Sequence, residues 1–232
     1  MLRKLWAPVV ALVLLAQAAL AGDDPVVVEL YTSQGCSSCP PADALMHELA
    51  AREDVIALAL HVDYWDYIGW KDIFADPDHA KRQRKYAKNW GQRMVYTPQM
   101  VVAGRSGIVG NKPRDVNALI AKHAAREDRA ELSISRVGDT LRIEALAREG
   151  LTGPLDVQVA RFDPLRTVDI TRGENAGRRL SYANVVTELR DVGDWLPGTR
   201  LDLSVALSGD DPVAVFLQQK GIGPIEAAAV LR

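Results

Sequence analysis

The stretch PVVVELYTSQGCSSCPPADALMHELA, residues 25–50, decides how the fold is read. Pro25 to Tyr31 is a β-branched, strongly apolar run that reads as a buried strand. A loop from Thr32 to Gly35 follows. From Cys36 onward the pattern is helical: Pro40 and Pro41 suit a first turn, where a missing N–H costs nothing, and Ala44, Leu45, Leu49 and Ala50 recur at helical spacing. The order is strand, loop, C-x-x-C, helix.

Working outward, Val55 to Val62 is a second continuous apolar run, suited to a central strand covered on both faces and lying parallel to the first across a βαβ crossover. An aromatic-rich stretch with Trp65, Tyr67 and Trp70 precedes a polar helix from about Pro77 to Trp90. Met94 to Gly104 and Ser106 to Gly110 read as a hairpin turning at Gly104-Arg105, and residues 114–125 as a helix with Val116, Leu119, Ile120 and Ala124 on one face. The first domain, α/β in class, is expected over residues 22–127. From Ala130 the texture changes to short alternating runs: Glu131 to Val137, Thr140 to Ala147, Leu155 to Phe162, Thr167 to Thr171, Leu201 to Ala206 and Val213 to Gln218. Their spacing predicts a small antiparallel, sandwich-like β domain over residues 128–232, with a short helix in the tail from Pro224.

The ends and the charge narrow the class of protein. Arg3 and Lys4 precede an apolar run to about Leu20, and Ala19-Leu20-Ala21 supplies small residues, so a signal peptide cleaved after Ala21 is expected, which implies a periplasmic or secreted location. The rival reading is an uncleaved anchor, for which the run is short. Loss of Arg3 and Lys4 from 28 basic residues leaves 26 against 30 acidic ones, a net charge of −4, which disfavours a nucleic-acid partner. With no second long apolar run, the mature form is not expected to span a membrane.

The chain has two cysteines, and a domain of this size does not need a disulfide for stability, since folding buries about 70% of its surface. A thiolate, not a thiol, attacks a disulfide. A helix start favours an anion there, so Cys36, exposed in the first turn, is assigned as nucleophile, and Cys39, one turn inside and more buried, as resolving thiol. The alternatives are half of a metal site and an inert structural disulfide. Zinc needs four ligands, and His47, His61, His79 and His123 are scattered, so no metal site is assigned. Copper(I) held by both thiols, with His61 or Met94 added, is the second reading, and a non-catalytic binding module the third. No cofactor is called for.

Thr97-Pro98 precedes the hairpin strand some sixty residues after the cysteines, placed as a substrate-binding loop facing the C-x-x-C turn; a cis Thr97-Pro98 bond would leave the flanking backbone free to pair with an extended chain. His61, Asp63 and Asp66 flank the carboxyl end of the second strand, where sites on open α/β sheets form, and with Trp65 could border the thiol groove. The basic run Lys81-Arg82-Gln83-Arg84-Lys85 reads as a solvated helix face and is given no role.

YTSQGCSSCP resembles the strand-to-helix turn of thioredoxins and glutaredoxins, and YTPQMVV is similar to their cis-proline loop, a likeness covering about residues 25 to 125. The resemblance implies a thioredoxin-like N-terminal domain in which Cys36 attacks, Cys39 resolves and Pro98 lines the substrate groove. Glu29 resembles in position the buried carboxylate that relays protons to the second cysteine in thioredoxins, although the loop here is one residue longer. Ser37-Ser38 differs from the Gly-Pro or Pro-His pairs familiar there, which leaves the reduction potential open. ELYTSQGCSSCPPAD, HVDYWDYIGWKD, RQRKYA and RGENAGRRLSYANVV further resemble recurring blocks of an uncharacterised bacterial secreted family with a thioredoxin-like fold. The combined expectation is an exported thiol–disulfide oxidoreductase whose partners are cysteine-containing exported proteins and a redox partner.

Overall fold

The computed structural model describes residues 25–127 and 129–232; the expected signal peptide lies outside them. The architecture is mixed α/β and mostly sheet. Strand β1 (Val26–Thr32) leads into α1 (Pro40–Ala50), which returns the chain to β2 (Val55–His61). The two strands pair in parallel from Val26 opposite Val55 to Thr32 opposite His61, as the βαβ reading expects. Both are buried along their whole length, which is why their sequences are continuous rather than alternating apolar runs.

After β2 the chain makes a short 3₁₀ turn (Asp66–Ile68) and helix α2 (Pro77–Asn89), whose N-terminus is capped by the Asp76 side chain accepting from the Asp78 N–H. Strand β3 (Gln99–Val102) joins the free side of β1 antiparallel, and β4 (Ser106–Val109) pairs with it as the expected hairpin, followed by α3 (Pro113–Ala124). The hairpin turn requires glycine at 104: φ is +62°, and a Cβ there would meet the Gly223 carbonyl oxygen at 2.6 Å.

The C-terminal half contributes β5 (Ala130–Val137), β6 (Thr140–Ala147) and β9 (Leu201–Ala206), which form a three-stranded antiparallel sheet, and β7 (Leu155–Ile170), β8 (Arg178–Trp195), β10 (Val213–Gln219) and β11 (Ile225–Leu231). These last four extend the first sheet to eight strands in the order β11-β10-β7-β8-β2-β1-β3-β4. The two halves of the chain therefore share one sheet. The junction is β8 against β2, parallel, at the single pair Ala59 opposite Val185.

Three apolar clusters hold the layers. Val27, Tyr31, Ile56 and Leu58 pack with Tyr86 of α2 and with Phe216 of β10; Val28, Leu30 and Ala57 pack with Leu45 and Leu49 of α1 and Ile120 of α3; and alternate residues of β7 and β10 pack on the small sheet through Leu141, Ile143 and Leu201.

Two readings of the C-terminal half need correction. The tail from Pro224 is a strand, not a helix: its alanines favour a helix in isolation, but pairing with β10 from Val213 opposite Leu231 satisfies its backbone and overrides that preference. The runs Leu155 to Phe162 and Thr167 to Thr171 are one 16-residue strand. Its partner β8, 18 residues long, has no alternation to read, because its burial changes face at register shifts opposite residues 156–158 and 161–162. The basic run on α2 is a solvated face only in part: Lys81, Arg84 and Lys85 are exposed, but Arg82 and Gln83 are buried.

Candidate functional site

The carboxyl ends of β1 and β2 lie side by side, so the loops leaving them, residues 33–39 and 62–76, meet at one end of the sheet. Cys36 and Cys39 are joined there as a disulfide with Cα atoms 5.4 Å apart. Cys39 is the N-cap of α1, and Cys36 sits in the turn before it rather than in the first helical turn. Both are buried, Cys36 retaining 3% exposure and Cys39 none, so the expected exposed nucleophile is in fact nearly covered, while Ser37 and Ser38 between them are exposed.

The Thr97-Pro98 bond is cis and faces this turn. Thr97 Oγ1 donates to Cys36 Sγ at 3.1 Å and itself accepts from Trp65 Nε1 at 2.7 Å. The indole thus occupies a lone pair of the hydroxyl and leaves its proton for the sulfur, an arrangement that would strengthen with a thiolate as acceptor. Ser38 Oγ donates to the Thr97 carbonyl at 3.4 Å. Trp65 thus lies beside Thr97, with Tyr67, largely exposed, stacked on it.

Behind the turn lies a buried polar group. Asp72 Oδ2 accepts from the Gln34 N–H at 2.7 Å and lies 2.7 Å from His61 Nδ1, and Trp70 Nε1 donates to Gln34 Oε1. His61 is fully buried between the rings of Phe74 and Tyr182. Asp43, one helical turn after Cys39, accepts from the Thr32 hydroxyl at 2.7 Å through Oδ1. Asp43 Oδ2, His61 Nε2 and the Tyr182 hydroxyl are buried with no protein partner. Of the expected residues, Cys36, Cys39, Thr97, Pro98 and His61 come together. Asp63 lies next to them, giving its carbonyl to the Asp66 N–H. Glu29 does not join them: it projects from the face of β1 opposite α1, where Arg82 Nε donates to it at 2.6 Å and the Tyr86 hydroxyl at 2.7 Å. Its parity along the strand, shared with Val27 and Tyr31, decides this.

Burial pushes the Asp43 carboxyl up to about 7, against the opposite pull of the Thr32 hydroxyl and of His61; Asp72, Arg178 and Tyr182 also face it. The folded chain then holds a proton that the unfolded chain gives up near pH 4, so this group makes stability fall as pH rises from about 4 to about 7. Asp43→Asn is expected to flatten that slope and to raise the unfolding free energy at pH 8 by about 1–4 kcal/mol, with little change at pH 4. Urea unfolding at both pH values checks it, and parallel profiles for the two proteins would refute it.

Among the described residues, the one grouping of three acidic or metal-ligating side chains with converging atoms is Asp156, Asp191 and Asp194, remote from the cysteines in sequence and already served by Lys220, which pairs with Asp194 and lies 2.6 Å from Asp156. Met94 is 80% exposed and His61 faces Asp72.

Residues 27–218 match the sequence profile of a family described as protein of unknown function (DUF1223). The chain belongs to the DUF1223 family. A crystal structure of protein AGR_C_4864 from Agrobacterium tumefaciens is similar to this DUF1223 chain at 32% identity, with a TM-score of 0.77, covering 92% of this chain and 96% of that one. HBP35 of Porphyromonas gingivalis is similar in fold, with a TM-score of 0.63 at 14% identity over 90% of this chain and 74% of that one. Comparison with curated protein sequences gives no match. Among the described residues of this DUF1223 chain, no helix is long and apolar enough to cross a membrane.

Sequence reading missed Asp43, Asp72 and Asn175. Asp43 had a legible signal, an acidic residue four positions after Cys39 on the face that carries Leu49 and Met46. Asp72 and Asn175 come from loops 36 and 139 residues beyond Cys36, and no local pattern marks them.

Proposed function

We propose that this DUF1223 protein is an exported thiol–disulfide oxidoreductase whose N-terminal half is a thioredoxin-like unit. The observation that carries the reading is the Cys36–Cys39 pair at the N-terminus of α1 with the Thr97 hydroxyl 3.1 Å from Cys36 Sγ, next to the cis peptide bond before Pro98. The parallel β1-α1-β2 unit and the antiparallel β3-β4 hairpin around this pair suit a thioredoxin-like unit. The substrates that fit this chemistry are cysteines of exported proteins, with a second thiol protein to reset the site.

In the reducing direction, the Cys36 thiolate attacks a substrate disulfide; a bond forms between Cys36 Sγ and one substrate sulfur, and the other substrate sulfur leaves as a thiolate. Cys39 then attacks Cys36 Sγ, re-forming the internal disulfide and releasing the second substrate thiol, so two electrons pass to substrate. The positive end of α1 and the Thr97 hydroxyl favour charge on Cys36. Asp43, rather than Glu29, takes the Cys39 proton, because it lies one helical turn away and its raised affinity for protons matches that task. The reverse sequence oxidises substrate by the same bonds.

Reduction of insulin by dithiothreitol, followed by turbidity, tests this. The protein without residues 1–21 is expected to shorten the lag strongly and Cys36→Ser to leave it at the uncatalysed value; equal lags with and without the wild-type protein would remove the reading.

A further inference from the structure

The turn that carries Cys36 is held from an unexpected quarter. Asn175, in the loop between β7 and β8, is 1% exposed although residues 174, 176 and 177 around it are exposed. Its Nδ2 donates to the Gln34 carbonyl at 2.9 Å and to the Cys36 carbonyl at 3.0 Å, using both amide protons, and its Oδ1 accepts from Arg178 Nη1 at 3.0 Å. The loop is itself closed by the Ala176 N–H on the Gly173 carbonyl and the Gly177 N–H on the Ile170 carbonyl. Gly173, at φ +75°, lies against Trp70, whose indole donates to the side chain of Gln34. The outer part of the hairpin is seated on α1, with Ser181 O 3.1 Å from His47 Nε2. A segment some 140 residues downstream thus grips the backbone on which the nucleophile sits.

We propose that Asn175 is a positioning residue for the redox pair: it keeps the residue 34–36 turn closed when the disulfide is absent, and so sets how readily Cys39 recaptures Cys36. This rests on the oxidoreductase reading. In the oxidised protein the S–S bond already restrains the turn. When two thiols replace it, the backbone of the turn is held by the Gln34 N–H to Asp72, the Gly35 N–H to Ser33 Oγ, the Cys36 N–H to the Ser33 carbonyl, the Cys39 N–H to the Cys36 carbonyl and, from outside the N-terminal half, the two bonds from Asn175. Disulfide and clamp order the same backbone, so each lowers the ordering cost of the other, and the coupling is reciprocal. The clamp therefore raises the effective concentration of Cys39 at Cys36 and favours the disulfide.

The equilibrium that reads this is dithiol plus oxidised glutathione giving the Cys36–Cys39 disulfide plus two reduced glutathiones, with two electrons and two protons moving from the protein thiols to glutathione. Asn175→Ala is expected to lower its equilibrium constant about threefold to tenfold, the equivalent of one net hydrogen bond. Asn175→Ser, too short to reach either carbonyl yet still polar, is expected to do the same and serves if the alanine variant does not fold. The control is Asn184→Ala on the same hairpin: Asn184 is also buried and donates Nδ2 to a backbone carbonyl, that of Ala57 at 2.9 Å, away from the cysteines. It is expected to lower the melting temperature and leave the equilibrium constant unchanged. Equal constants in wild type and both Asn175 variants, or an equal fall in Asn184→Ala, would overturn the assignment while leaving the oxidoreductase intact. A wild-type disulfide that neither glutathione nor dithiothreitol can reduce would overturn both.

Discussion

Replacing Cys39 with serine is expected to turn the protein into a covalent trap. Cys36 keeps its place at the N-terminal end of α1 under the Thr97 hydroxyl, so it still attacks, but the thiol that releases the mixed disulfide is gone. An intramolecular thiol held one turn away acts at an effective concentration far above that of any dissolved thiol, so its loss is expected to slow release by about two orders of magnitude or more. Incubation of Cys39→Ser with a mixture of disulfide-bearing exported proteins, followed by non-reducing electrophoresis, is expected to show high-mass bands that dithiothreitol removes. Wild type is expected to show few such bands and Cys36→Ser none. If Cys36→Ser captured as much as Cys39→Ser, the roles would be reversed. Cys36, which alone of the two retains some exposure, is therefore the sulfur expected to meet a partner.

Arg82→Met is expected to be among the most destabilising single changes in the molecule, although it lies outside the redox site. Arg82 Nε donates to Glu29 at 2.6 Å, and Nη2 donates to the Tyr86 hydroxyl and to Gln218 Oε1, with the guanidinium also over the Phe216 ring. Burial alone would weaken the positive charge, but the Glu29 carboxylate, with Tyr86 and Tyr31 beside it, holds Arg82 above its ordinary proton affinity. Removing the cation leaves Glu29, 1% exposed, with an uncompensated charge, a loss of about 3–5 kcal/mol. For a chain of this length that corresponds to a fall in melting temperature of about 10 °C. Arg84→Met, an exposed position on the same helix, is expected to change little. The double variant Glu29→Gln with Arg82→Met is expected to recover part of the loss, because a buried pair removed together leaves no orphan charge. Equal melting temperatures for Arg82→Met and Arg84→Met would show that the pair contributes nothing.

The same ion pair explains one limit of sequence reading. In Lys81-Arg82-Gln83-Arg84-Lys85 the charges look alike along the chain, yet α2 turns Lys81, Arg84 and Lys85 to solvent and Arg82 and Gln83 to the sheet. Arg82 can face inward because Glu29 waits there on β1 and Gln218 on β10, and neither neighbour is visible within the run itself. Strand β8 was unreadable for a related reason. Its register shifts change which face is buried, so its sequence carries no steady period. The β11 tail looked helical because local preference was the only signal available, and its pairing partner β10 outweighed it.

The central βαβ unit, the hairpin after Pro98 and the position of the C-x-x-C at the start of α1 are legible in the residues alone, because each follows from a local pattern: continuous apolar runs and helix-compatible prolines. The pairing of distant segments alone places the C-terminal half in the sheet of the first, covers most of Cys36, and brings Asp72 and Asn175 to the turn that carries Cys36 while Glu29 faces Arg82 on the other side of the sheet. Those outcomes depend on which face of a strand a side chain takes and on which distant loop reaches the carboxyl ends of β1 and β2, and both are fixed only when the strands pair.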